Sequence, residues 1–198
     1  MTESDEQWIQ VREETIAAGA RIGKTSEQFN DACEHIAQLL QDASALFESG
    51  SHATSAFLSI AALEETAKVH MGMYRRSATP LKRSKDPLFK HERKHELALG
   101  PTVAMGGRLQ AAIGEARMRE LIELGRKGGF VPLREASLYI EQQGDSLLVP
   151  MQSIPTATSR ELLLLAIESF DDALVGYTNR TEELSELTDA LFAKWAGT

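Results

Sequence analysis

The chain has 198 residues, 42% of them hydrophobic and 25% charged, with a formal net charge of −8. That length and hydrophobic content suit one domain with a real core rather than a disordered chain, and no apolar run approaches the length of a membrane span. The acidic, polar start at Met1–Gln10 reads unlike a signal peptide, which points to a cytoplasmic protein.

A weakly amphipathic helix is predicted from about Glu6 to Ala20, anchored by Trp8, Val11 and Ile16. Thr25 with Gln28 forms a capping-box signature, and Phe29, Cys33, Ile36, Leu40, Ala43 and Phe47 then recur at helical spacing until Gly50 ends the helix. The single cysteine, Cys33, lies on that apolar face and reads as a packed core thiol, with no disulfide or redox role. A second long helix, Ser51 to Arg76, follows at once, so the two make an antiparallel hairpin. At about 100° per residue, Ala53, Phe57, Ile60, Glu64, Ala67, Lys68 and Met71 share one face of it. Glu64 and Lys68 thus sit where core residues belong. Buried charges are expensive unless paired, so they read as a structural lock or as part of a site.

Pro80 and Pro87 bracket a basic loop. A short helix from Leu88 to about Leu99 carries His91 and His95 one turn apart on one face, and Gly100 and Pro101 end it. A helix over Arg108 to Leu124 is expected after Gly106 and Gly107, with Gly114 inside it and Gly125, Gly128 and Gly129 closing it. Within Ala136–Pro150, the run Leu138–Ile140, a polar turn at Gln142–Asp145 and Leu147–Val149 predict a small β-hairpin, a lid or edge on the bundle. Thr158 with Glu161 is a second capping box, opening a helix with the stripe Leu163, Ile167, Phe170, Leu174 and Tyr177. Leu184, Leu187, Leu191 and Trp195 form another stripe. The expected fold is therefore mainly all-α: an up-and-down bundle of about five or six helices with a small β-hairpin insertion, in one domain over residues 1–198.

Charge is unevenly placed. Lys68 to His95 carries nine Lys or Arg against two acids, whereas Glu161 to Asp189 carries eight acids and one Arg. A positive strip on an acidic protein suits a polyanion or an acidic partner, or else pairs with the protein's own acidic helices. The run His91-Glu92-Arg93-Lys94-His95 satisfies the H-E-x-x-H zinc pattern. However, Arg93 and Lys94 would oppose a divalent cation, and a third ligand would have to come from Glu115, Glu120 or Glu123. Metal-independent chemistry on a phosphodiester suits the surroundings better: imidazole titrates near neutral pH, and neighbouring cations neutralise charge developing on phosphorus. No metal or cofactor is expected. The plain alternatives are two surface histidines on a basic helix and a structural Glu64–Lys68 pair.

The run Ala53-Thr54-Ser55-Ala56-Phe57-Leu58-Ser59-Ile60-Ala61-Ala62-Leu63-Glu64-Glu65-Thr66-Ala67-Lys68, then Phe89-Lys90-His91-Glu92-Arg93-Lys94-His95, then Arg134-Glu135-Ala136-Ser137-Leu138-Tyr139-Ile140-Glu141 with Pro150 beyond, resembles the AbiV-type abortive infection proteins of the HEPN helical superfamily. The resemblance spans roughly Gln38 to Pro150. It implies a bacterial anti-phage effector, a toxin that halts growth of the infected cell through RNA metabolism or translation. It also implies a homodimer with a site at or near the interface, and the small residues Ala53, Ala56, Ala61 and Ala67 would allow close helix approach.

Many HEPN relatives are ribonucleases whose centre is an Arg a few residues before a His. This chain departs from that spacing, since Arg83 lies eight residues before His91 and Arg93 two before His95. A variant ribonuclease centre would then use His91 or His95 as general acid or base, with Glu64 orienting Lys68. Lys68 and Lys94 would contact phosphate, and Arg93 and Arg134 would bind substrate. The alternative is a non-enzymatic module whose same groove sequesters RNA, a nucleotide, or an acidic phage or translation-machinery protein.

Overall fold

Helix α2 (Ser26–Glu48) and helix α3 (His52–Met73) fold back on one another through Gly50, whose φ of +84° suits glycine and strains other residues. The structure, a computed structural model, describes residues 3–104 and 107–197, so Gly106 and the first two residues of the acidic N-terminal stretch lie outside the described residues. Helix α1 (Glu3–Ala17) precedes this hairpin and buries Val11 and Ile16 against it. Beyond it come α4 (His91–Ala98), α5 (Arg108–Ile113), α6 (Glu115–Arg126), α7 (Phe130–Ala136), strands β1 (Glu141–Gln143) and β2 (Ser146–Leu148), α8 (Pro150–Ser153), α9 (Thr156–Leu174) and α10 (Asn179–Ala196). Six helices, α1, α2, α3, α6, α9 and α10, have twelve or more residues and form the expected mainly helical bundle.

Helix α3 is the axis of the molecule. It packs against α2, α9 and α4 and buries residues on nearly every side, including Ser55, Ser59, Ala62 and Leu63, rather than along the one seam its sequence suggests. Small side chains explain this, because Ala, Ser and Gly at the contacts let neighbouring helices approach without a large protruding residue. Ser59 satisfies its buried hydroxyl by donating to the Ser55 carbonyl at 2.9 Å. Helix α9 is similarly enclosed, with Leu162 to Phe170 buried without a break. Cys33 is fully buried, and burial pushes its thiol up to about 12, in keeping with a packing role.

Several boundaries differ from expectation. Helix α3 stops at Met73 rather than Arg76 because Arg75 turns inward to a buried ion pair with Asp86, its Nη1 donating at 2.7 Å. The loop is tied down further where Arg76 N donates to the Ile16 carbonyl at 3.1 Å. The helix expected over Arg108–Leu124 is broken at Gly114 (φ +84°, ψ 147°), a conformation that ends α5 and starts α6. Thr158 is not an N-cap: Pro155 occupies that position, and the chain is helical from Thr156. A reciprocal capping box occurs instead at Thr178 and Thr181, before α10. The hairpin forms, but its first strand starts at Glu141, after the apolar run Leu138–Ile140, and a two-residue turn at Gly144–Asp145 sets the register Gln143 to Ser146. Both strands are exposed. No helix among the described residues is long and apolar enough to cross a membrane.

Candidate functional site

The three-and-four spacing of His91, Lys94 and His95 puts them on one face of α4, and that face meets Glu64 in the middle of α3. The start of α4 is fixed just upstream by a 3₁₀ turn, Pro87–Phe89, in which Asp86 Oδ1 accepts from Leu88 N at 2.9 Å and Leu88 is wholly buried. Glu64 is buried and heavily coordinated. His91 Nδ1 lies 2.8 Å from both of its oxygens, Lys94 Nζ 2.6 Å from Oε2, and His95 Nε2 2.9 Å from Oε1. Arg134 of α7 brings its Nε to 3.5 Å from Oε1. The site thus draws on three separate helices.

Burial alone would raise the Glu64 carboxyl, but hydrogen bonds and charge from His95 and Lys94 outweigh it and hold it at about 2. Glu64 is therefore ionised at neutral pH and accepts only, so the ring nitrogens facing it carry their protons. In neutral His91 that leaves Nε2 with a free lone pair, and this side chain is 46% exposed. His95 is different: it is 0% exposed, its ring meets Phe130 edge-on at 5.7 Å, and its Nδ1 has no hydrogen-bond partner among the described residues.

Of the residues singled out in the sequence, Glu64, His91, Lys94, His95 and Arg134 come together. Lys68 does not pair with Glu64. It donates to Glu65 at 2.6 Å, because Lys94 reaches Glu64 from α4 and leaves the neighbouring carboxylate to Lys68. Lys94 lies 3.9 Å from Glu65 as well, so the two ion pairs form one strip along α3. Arg93 is turned away: it pairs with Glu96 at 2.7 Å and lines a separate groove with Gln7, Lys90, Glu92, Arg126 and Lys127.

Two aromatic residues that were not among the expected site residues flank this strip. Phe57 lies under Arg134, the guanidinium carbon 4.9 Å from the ring centre, and Phe89 lies under Arg83 at 4.9 Å and Lys68 at 5.8 Å. Phe89 stands next to Lys90 at the head of the basic run, whereas nothing around Phe57 in the sequence sets it apart from the apolar face of α3.

The HEPN-type AbiV family model matches residues 24–170, which include every residue of the Glu64 cluster. The chain belongs to the AbiV family of HEPN domains. No curated protein and no solved structure matches it. The matched span leaves out α1 and α10, so the AbiV core is the region from α2 to the greater part of α9. Within it, the H-E-x-x-H pattern does not build a zinc centre. Both histidines direct a ring nitrogen at the Glu64 carboxylate, the Lys94 ammonium shares it, and Glu92 faces the separate groove. Among the described residues no group of three His, Cys, Asp or Glu side chains is placed to hold a metal ion.

Proposed function

We propose that this AbiV-family protein is a cytoplasmic abortive-infection effector that cleaves RNA without a metal, with His91 as the proton-transfer group. The observation that carries the reading is the Glu64–His91 pair: a buried, ionised carboxylate orients an imidazole whose other nitrogen faces solvent. In the proposed step, His91 Nε2 takes the proton of a ribose 2′-hydroxyl as that oxygen attacks the adjacent phosphorus. The bond to the 5′-oxygen breaks, leaving a 2′,3′-cyclic phosphate. The 5′-oxygen takes a proton from water, and the imidazolium returns its proton to the hydroxide so formed. Arg134, whose Nε faces Glu64 at 3.5 Å while its side chain stays partly exposed, supplies positive charge to the phosphate, and Lys68 does so from the other side. Lys94 and His95 hold Glu64 in place from beneath. The whole chain acts as one domain.

A homodimer is part of the same proposal, supported by the exposed apolar side chains Leu138, Tyr139, Ile140, Leu147 and Met151 around the hairpin. A monomer in sedimentation at tens of micromolar would remove it.

A second reading has its own support. Lys94 and His95 are buried, so few groups are left to perform chemistry, and a binding module that sequesters RNA, a nucleotide or an acidic phage or translation-machinery protein needs none. The test is induced expression of wild type and His91→Ala in one strain, followed by growth and total RNA integrity. Discrete RNA fragments that vanish in the variant support cleavage. Growth arrest with intact RNA in both strains overturns it in favour of sequestration.

A further inference from the structure

We infer that Phe57 and Phe89 are base-stacking platforms on either side of the Glu64 cluster, so that the ligand of this site is a short single strand of RNA. This rests on the phosphate-contacting reading given above.

The two residues of the 3₁₀ turn have opposite fates. Leu88 is wholly buried, whereas Phe89 is 36% exposed. Core packing therefore falls to Leu88, and Phe89 is turned outward on a rigid support: Asp86, held by buried Arg75, fixes the turn through Leu88 N. The ring is not left bare, because Arg83 and Lys68 lie against it. The same pairing recurs at the other end, where Arg134 lies on Phe57. A guanidinium 4.9 Å from the centre of a phenyl ring, as at both ends here, makes with it one surface that can take a nucleobase while its N–H groups meet phosphate, so each pair serves base and backbone together.

Spacing decides the ligand class. Phe57 and Lys68 are eleven residues apart on α3, which at the helical rise is about 16 Å, and Glu64 lies between them. A single nucleotide reaches one platform only. A duplex keeps its bases stacked on one another and offers neither ring a partner. A single strand with unstacked bases reaches both while its intervening phosphodiester passes His91 and Arg134.

The test is fluorescence anisotropy with a labelled 2′-O-methyl oligoribonucleotide, which lacks the nucleophilic hydroxyl and so is not cut. It is set against an abasic oligomer of the same length and against the matching duplex. Wild type is expected to bind the single strand about tenfold more tightly than the abasic oligomer. Phe89→Leu and Phe57→Leu should each lose most of that preference, single-strand affinity falling further than abasic affinity, and Phe89→Trp should keep it. If wild type binds all three probes equally, or Phe89→Leu retains the preference, the platforms are overturned while phosphate contact stands. If wild type binds none of the probes, both readings fail.

Discussion

The carboxylate of Glu64 lies with both oxygens 2.8 Å from Nδ1 of His91, so the exposed imidazole is fixed from below by a buried group. The same carboxylate takes Lys94 and His95, and one buried anion therefore sets the orientation of three side chains on α4. Removing it leaves the buried Lys94 ammonium with only the more distant Glu65 carboxylate, 3.9 Å away, to offset its charge. Glu64→Gln should destabilise the protein at pH 7 by about 3–5 kcal/mol, measured by urea unfolding. Equal stability of the two proteins would sink the account of Glu64 as the keystone of this contact.

The pH dependence has a definite sign. Folding lowers the Glu64 carboxyl from 4.5 to about 2, so its stabilisation is complete above pH 4.5 and is lost as pH falls towards 2. By linkage the loss is roughly 3 kcal/mol over that window. Urea unfolding of wild type between pH 6 and 2.5 should therefore show an acid limb that is shallower in Glu64→Gln. Parallel limbs would mean that some other carboxylate carries the acid sensitivity.

His91 and His95 should separate function from folding. His91 is half exposed and, among the described residues, its ring bonds to Glu64 alone, so His91→Ala should cost less than about 1 kcal/mol while lowering RNA cleavage by about 10²–10⁴-fold. His95 is enclosed against Phe130, so His95→Ala opens a cavity and strips a donor from a buried carboxylate, at a cost of about 2–4 kcal/mol. Thermal melts and a cleavage assay on the two single variants check this. A folded His91→Ala protein with wild-type cleavage would remove His91 from the chemistry.

Much of this arrangement was legible in the sequence, for definable reasons. Helical periodicity located α2, α3, α9 and α10, and charge on an apolar seam marked Glu64 as a residue needing partners. The partner itself was not legible. Lys68 is one turn from Glu64 on the same helix, whereas Lys94 arrives from α4 through tertiary packing that local spacing does not encode. Arg93 had the right charge in the right segment, but it leaves α4 on the face away from Glu64, where it pairs with Glu96 and lines a separate groove. The hairpin lies where the sequence places it, but its first strand begins at Glu141 rather than Leu138, because Leu138–Ile140 has strand-like composition yet lies before the first ladder pair.

Asp86 joins the basic loop to the site. It accepts from Arg75 and from Leu88 N, and both Asp86 and Arg75 are buried. Asp86→Ala should cost about 3–5 kcal/mol by stranding the Arg75 charge. Hydrogen exchange should speed up first in residues 75–90, ahead of α2 and α9, because the turn that starts α4 loses its clamp. Uniform protection across the loop in the variant would show that other contacts hold it.

Gly125 tests whether the support beneath His95 is as tight as its packing suggests. A methyl group there would sit 2.7 Å from Phe130 Cε2 and closer still to Leu99 Cδ1, in the last turn of α6, one residue before the helix ends at Arg126. The propensity gain of Gly125→Ala, about 1 kcal/mol, is opposed by overpacking of similar or larger size, about 1–3 kcal/mol. Phe130 is wholly buried and is the ring against His95, so it has little room to give. The variant should therefore melt below wild type, with His95 and then Glu64 displaced and RNA cleavage reduced in step. A Gly125→Ala protein that is more stable than wild type would mean that Leu99 and Phe130 yield freely, and that the floor of the site is softer than its close packing implies.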